Sequence, residues 1–147
     1  SGMVERAAQL KMPALALTRE LVPAMKARKW GRVIHISSVL GVGSKEKRNV
    51  YSACKAALIG LAKASAIDLG TFNITVNCPC PGPFLTDLPG TLLSDEEKLQ
   101  FSNRTALKRW AQPRELAGPA LLLASEAGSY ITGEALIVDG GAFARAL

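Results

Sequence analysis

Apolar and polar positions alternate along the chain with two different periods, and the switches between them mark the elements. Within residues 4–29, Leu15, Leu17, Leu21, Val22 and Met25 recur at helical spacing, which predicts a first helix. Pro13 suits its opening turn, Pro23 should bend it, and Gly31 should end it. Arg32–Ser37 reads as a short buried strand, because Val33, Ile34 and Ile36 are β-branched and lie between Gly31 and the polar Ser37-Ser38 pair. Positions 39–49 read as a loop. Val50–Leu69 returns to the helical period and is rich in small residues (Ala53, Ala56, Ala57, Gly60, Ala64), with Gly70 as its stop. Such a face allows close helix contact, inside the fold or across a dimer.

Asn73–Asn77 predicts a second strand. Cys78–Gly90 holds Pro79, Pro81, Pro83, Pro89, Gly82 and Gly90 and reads as a loop. Ser94 followed three positions later by Glu97 is a capping box that opens a third helix. Pro113 opens a fourth, running through Leu116, Leu121, Leu122 and Leu123 toward Gly128. Glu134–Val138 makes a third strand, closed by Asp139-Gly140-Gly141. Helices alternating with single short strands call for parallel pairing in an α/β layered sheet, for which three strands are few.

Composition narrows the class without naming a chemistry. The 147 residues are 48% hydrophobic and 20% charged, the profile of one soluble globular domain, and disfavour disorder, collagen and coiled coil. The longest nearly apolar runs, Ala56–Ala62 and Ala117–Ala124, fall short of the roughly 18 residues of a membrane span. Thr18, Arg19 and Glu20 interrupt the first apolar stretch, so no signal peptide is read there, and Ser1-Gly2 ahead of Met3 reads as an expression scar. Three cysteines, an odd count, imply reduced thiols and a cytoplasmic setting. The net charge of +6 raises the question of nucleic acid, but the basic residues form short clusters near element ends and aromatics are 5%, too few for a stacking surface. Solvated faces, or attraction of an anionic small molecule, account for the charge better.

The candidate chemistry lies in Tyr51-Ser-Ala-Cys-Lys55, with Ser38 upstream across the loop. A four-residue step places Tyr51 and Lys55 one helical turn apart on one face. An ammonium and a helix N-terminus both favour a phenolate, which makes Tyr51 a candidate general acid/base. Ser38 closes a strand, where its hydroxyl could donate to a carbonyl or alkoxide oxygen. A lone Tyr-x-x-x-Lys is more often a surface pair, so the neighbouring motifs decide. They are Gly31-Arg-Val-Ile-His-Ile-Ser-Ser38, Tyr51 thirteen positions after Ser38, Asn73-Ile-Thr-Val-Asn77, Pro81-Gly82-Pro-Phe-Leu-Thr86, Tyr130-Ile-Thr-Gly133 and Val138-Asp-Gly-Gly141.

In this order the motifs resemble the short-chain dehydrogenase/reductase family, including its 3-oxoacyl-carrier-protein reductases and gluconate dehydrogenases, from about residue 10 to residue 142. The resemblance implies a partial Rossmann-like, doubly wound parallel sheet: the C-terminal half of the fold, with about three strands and flanking helices. It implies an oxidoreductase that uses NAD or NADP to interconvert a secondary alcohol and a ketone. Tyr51 would exchange the proton, Lys55 would favour the phenolate and hold the ribose hydroxyls, and Ser38 would polarise the carbonyl. Pro81 and Gly82 would let backbone approach the nicotinamide, with Phe84 and Thr86 near its carboxamide or phosphates. Leu85, Leu88 and the helix after Ser94 would form a lid, and Asp139-Gly140-Gly141 would lie near a subunit interface.

The family's glycine-rich phosphate turn is missing: Gly41-Val-Gly43 is followed by Ser-Lys-Glu and lacks the later glycine. No asparagine precedes Asn49, so the family's fourth catalytic residue has no match near Gln9 and Leu10, and Pro79 stands where an apolar strand residue is usual. With the preceding strands absent, the edge of Arg32–Ser37 would be open and the chain should associate, as a homo-oligomer through helices 13–29 and 50–69. The competing expectation is a truncated member without turnover that acts as an assembly or interaction module. His35 alternates with Ile34 and Ile36 and reads as a structural or cleft-wall residue. Cys78 and Cys80 lack paired Cys-x-x-Cys spacing, so no metal site is expected; Cys54 reads as a buried thiol, and Trp30 and Trp110 as packing anchors.

Overall fold

A computed structural model describes residues 2–86 and 93–144. The elements run α1 (Gly2–Ala27), β1 (Gly31–Ile34), α2 (Val39–Val42), α3 (Asn49–Leu69), β2 (Ile74–Asn77), β3 (Cys80–Pro81), α4 (Asp95–Arg104), α5 (Ala117–Ala124) and β4 (Ile137–Val138). Single 3-10 turns lie at Gly70–Phe72, Pro113–Leu116 and Glu126–Gly128.

The strands pair in parallel, β1 with β2 from Gly31↔Ile74 to Ile34↔Asn77, and β3 with β4 through Cys80↔Ile137 and Pro81↔Val138. Backbone bonds extend both pairings. His35 N donates to Asn77 O and Ser37 N to Pro79 O, each at 2.9 Å. On the other side Cys78, Cys80 and Gly82 donate to Glu134, Leu136 and Val138 at 2.8, 2.7 and 2.9 Å. The stretch 74–82 is therefore flanked by β1 on one side and by the 134–138 segment on the other. The expected loop from Cys78 onward is thus a strand at its start. Its prolines, 79 and 81, sit between the residues whose amides donate to β4, so neither removes a bond from that ladder.

Every residue from Ile74 to Cys80 is buried. Ile74, Val76 and Cys78 pack with Val22 of α1 and with Ala62, Ala66 and Leu69 of α3 to form the core. Burial of Ile74 and Val76 is worth about 1.5–3 kcal/mol each. Asn77, fully buried, is satisfied through its amide: Nδ2 donates to Ile131 O at 2.7 Å and Oδ1 accepts from Glu134 N at 3.1 Å. Thr132 Oγ1 accepts from Val76 N and Gly133 N donates to Val76 O, which fastens the Tyr130–Gly133 motif to β2.

Several boundaries differ from the sequence expectation for local reasons. Helix α1 does not start at Pro13 but passes through both Pro13 and Pro23. It is closed by Lys29 in the left-handed region (φ 51°), with Trp30 N bonded to Met25 O and Lys29 N to Lys26 O, a Schellman arrangement. Gly31 opens β1 instead of stopping the helix; a Cβ there would lie 3.0 Å from Met25 Cβ. Gly70 continues α3 into the 3-10 turn with φ −58°, and Asn73 (φ 57°) makes the left-handed stop. Within the expected loop 39–49 stands α2, nucleated by Ser38 as its N-cap. Ser94 forms the predicted capping box for α4, and the helix expected from Pro113 is split into a 3-10 turn and α5.

Helix α3 with its following turn, Asn49–Phe72, is long and apolar enough by composition to cross a membrane, with a mean hydropathy of 1.3, which no single apolar run revealed. Its face toward β2 carries Ala62, Ala66 and Leu69, whereas the small residues Ala53, Ala56, Gly60 and Ala64 are exposed. Trp30, expected as a packing anchor, is 39% exposed and is held by polar contacts. Its indole donates to Glu126 Oε1 at 2.9 Å, and that oxygen also pairs with the buried Arg32 guanidinium at 3.1 Å.

Between α1 and the edge of β1 away from β2, which has no partner strand among the described residues, runs a groove of ≈510 Å³ walled by Leu17, Leu21, Met25, Val33, His35 and Ile36. His35 is buried there, and its Nε2 has no hydrogen-bond partner among the described residues. Burial holds the imidazole below its ordinary value of 6.5. The unfolded chain therefore takes up a proton that the folded chain resists, so stability is full above about pH 6.5 and is lost as pH falls below it. Chemical denaturation at pH 7 and pH 5 should show this loss, and His35→Leu should reduce it, His35 being the chain's one histidine.

Candidate functional site

Because every strand pair is parallel, the carboxyl ends of the strands share one edge of the molecule, where ligands of open α/β sheets bind. Ser38 follows β1 there, Pro81–Thr86 follows β3, and Asp139 follows β4. Helix α2 packs against α3 and β3 and so joins these parts.

Ser38 is buried, with extended backbone (φ −162°, ψ 157°), and its Oγ accepts from Leu40 N at 3.1 Å. The cap uses an oxygen lone pair, which leaves the hydroxyl hydrogen for an outside acceptor. Tyr51 lies in the first turn of α3 with 42% of its surface exposed. Lys55, one turn on, holds its Nζ 5.7 Å from the Tyr51 ring centroid and donates to Ile36 O at 3.0 Å. Tyr51 and Lys55 thus meet on one face as their spacing predicts. Ser38 joins them through α2, without a direct hydrogen bond among the described residues.

Beyond β3 the chain continues as a bridge between Phe84 and Ala111. Leu85 N donates to Ala111 O at 2.9 Å and Ala111 N to Pro83 O at 3.0 Å. Pro81, Gly82 and Phe84 are half-buried and Thr86 is exposed. Gly82 has an internal reason to be glycine, since a Cβ would lie 2.7 Å from Asp139 Cα and Cβ. Leu88 lies outside the described residues. Helix α4 is held to this region by Trp110, whose indole donates to Lys98 O at 2.9 Å and whose ring meets Phe101 edge-on. Arg109 grips Glu115 with two bonds of 2.7 Å. This fork, helped by Gln112 N–H, holds the Glu115 carboxyl down at about 2.

The residues present fit the nicotinamide end of a dinucleotide better than its phosphates. Tyr51 offers an exposed phenol and Lys55 an ammonium at the strand ends. Both glycines of Gly41-Val-Gly43, by contrast, are filled by the protein itself. A Cβ at Gly41 would lie 2.8 Å from the Lys55 carbonyl carbon, and one at Gly43 would lie 2.6 Å from the Phe143 ring. Both are therefore glycine for internal packing.

Residues 8–142 match the family described as Enoyl-(Acyl carrier protein) reductase. The chain belongs to the short-chain dehydrogenase/reductase family. Among curated short-chain dehydrogenase/reductase relatives, the 3-oxoacyl-(acyl-carrier-protein) reductase of Aquifex aeolicus is 39% identical over 127 residues, 86% of this chain and 51% of the relative. Human dehydrogenase/reductase SDR family member 4 is 39% identical over 137 residues, 92% of this chain and 49% of the relative. A gluconate 5-dehydrogenase of Burkholderia cenocepacia, solved in complex with NADP and tartrate, superposes with a TM-score of 0.86 at 30% identity, over 90% of this chain and 52% of that one. The fold is therefore the α/β Rossmann arrangement of short-chain dehydrogenases/reductases, and the chain spans about half the length of the curated relatives it matches.

Sequence reasoning missed Ser37, Gly41, Asn77 and the Asp139 carboxylate. The last accepts from Gly141 N and Phe143 N at 2.8 Å each and shapes the turn after β4. Nothing beyond residue type could have signalled them, because Ser37, Gly41 and Asn77 meet groups distant in sequence and the partners of Asp139 are backbone amides.

Two of the three thiols sit beneath the site. Cys78 and Cys80 are fully buried and free, and burial, with Cys80 alongside, pushes the Cys78 thiol up to about 12. Burial raises Cys80 as well. The reactive species is the thiolate, so both should resist iodoacetamide in the native chain at pH 8 and react once it is unfolded. Mass mapping of alkylated peptides checks this; rapid native labelling of either cysteine would contradict the packing of β2 and β3.

Proposed function

We propose that the chain is the C-terminal catalytic portion of an NAD(P)-dependent oxidoreductase that interconverts a secondary alcohol and a ketone. The observation that carries this reading is the exposed Tyr51 phenol beside the Lys55 ammonium on the edge that also holds Ser38. The nicotinamide, when bound, supplies or accepts hydride at the carbonyl carbon. In the reducing direction the carbonyl π pair moves onto oxygen, which takes the Tyr51 proton, and the Lys55 ammonium stabilises the phenolate left behind. Ser38 donates its free hydroxyl hydrogen to the same oxygen. Lys55 would also meet the ribose hydroxyls, while Pro81, Gly82, Phe84 and Thr86 would border the nicotinamide. The substrate is a small carbonyl or alcohol compound, and the setting is cytoplasmic.

The filled glycines at 41 and 43 favour a second reading, in which this chain by itself is a member without turnover that serves as an assembly or interaction module. Titration with NADH and NADPH, followed by nicotinamide fluorescence, separates the two. The catalytic reading expects a binding signal that Tyr51→Phe retains while turnover falls by about a hundredfold or more. Unchanged turnover in Tyr51→Phe removes Tyr51 from the reaction, and the absence of any cofactor signal leaves the module.

Association is part of either reading. Leu17 and Leu21 of α1 and Ile67 of α3 are exposed, the small-residue stripe of α3 is open, and the β1 edge has no partner strand among the described residues. A homo-oligomer through helices 13–29 and 50–69 would cover these faces. Sedimentation equilibrium should show self-association that weakens in Leu21→Arg; a monomer at all concentrations rules this assembly out.

A further inference from the structure

The position of Lys55 is fixed from the end of β1. Its Nζ donates to Ile36 O at 3.0 Å, while the next residue, Ser37, donates its hydroxyl to the Lys55 backbone carbonyl at 2.8 Å. Consecutive residues just past β1 therefore hold both ends of the same lysine. A mid-helix carbonyl already accepts from the amide four residues on; its second lone pair is what Ser37 takes. Ser37 is itself buried at 4% exposure, with its hydroxyl on the α3 backbone and its amide bonded to Pro79 O, so the side chain is boxed in.

Gly41 completes the arrangement. A Cβ there would stand 2.8 Å from both the Lys55 carbonyl carbon and Ser37 Oγ, and 3.0 Å from Ala56 N. These are backbone and boxed atoms that cannot swing aside, so a bare glycine is what lets α2 seat against α3 while Ser37 reaches its acceptor. Ser38, between Ser37 and Gly41, starts α2 and is carried by the same contacts.

We propose that Ser37 is a positioning residue for Lys55, its hydroxyl pinning the α3 turn so that the ammonium reaches the end of β1 beside Tyr51, with Gly41 providing the clearance. This rests on the reading of Tyr51 and Lys55 as the reacting pair, but the hydrogen bonds can be tested without turnover. The probe is the Lys55 ammonium itself, observed by NMR in the chain labelled with 15N-lysine and assigned by its loss in Lys55→Met.

The nearly isosteric pair Ser37→Thr and Ser37→Val isolates the hydroxyl. The Thr variant should keep the exchange-protected Lys55 signal. In the Val variant, proton exchange with water should quicken by about tenfold, the factor expected for one hydrogen bond of ordinary strength. Gly41→Ala should quicken it likewise with Ser37 intact. Equal behaviour of Thr and Val overturns the proposal, as does loss of the far-UV helix signal in either, which would make Ser37 a folding requirement. A protected ammonium in wild type and Thr, without cofactor binding, would leave this positioning role standing while the catalytic reading fell.

Discussion

The structure depends on one stretch of chain that has no solvent on any side. From Ile74 to Cys80 each residue is buried, so its polar groups must find partners within the protein or cost several kcal/mol in all. That requirement places β1 on one side and the 134–138 segment on the other. It also turns Asn77 into a rivet whose amide reaches Ile131 and Glu134. With this axis fixed, α3 has one way to lie, with Ala62 and Ala66 down on Ile74 and Val76. The turn that bears Tyr51 and Lys55 then falls at the carboxyl edge of the strands.

Local chemistry was readable wherever both partners are close in sequence. The Ser94–Glu97 box, the Tyr51–Lys55 step and the apolar β-branched run of β1 each state their own geometry within a few residues. The ordered motifs did the same for the family. Harder to read was the phase of the prolines. Counted as turn formers, Pro79 and Pro81 deny a strand; placed at alternate positions, they leave every donor that β4 needs. The helix ends followed the same lesson, since Lys29 and Asn73, and not Gly31 and Gly70, adopt the left-handed turn. Glycine at 31 answers to Met25 instead.

The site divides along a similar line. Its tyrosine–lysine pair announces itself by spacing, but its supports do not. Ser37 touches a carbonyl 18 positions away, and Gly41 matters for a side chain it lacks. Gly41 and Gly43, which do not make a phosphate turn, are committed to helix packing and to Phe143. The face that bears Tyr51 and Lys55 is thus built from α3 and the end of β1, with both glycines spent on internal packing.

The alternating prolines also set where the sheet lets go. Alternate residues of a strand turn their N–H and C=O to opposite sides, so Pro79 faces β1, where its carbonyl takes Ser37 N, while the amides of Cys78, Cys80 and Gly82 face the 134–138 segment. A proline can accept there but cannot donate back, so the bonding with β1 becomes one-way at Pro79. A strand of ordinary residues would offer β1 a further donor at that point and invite it to run on; this one releases it after Ser37, and Ser38 is free to leave the sheet and start α2.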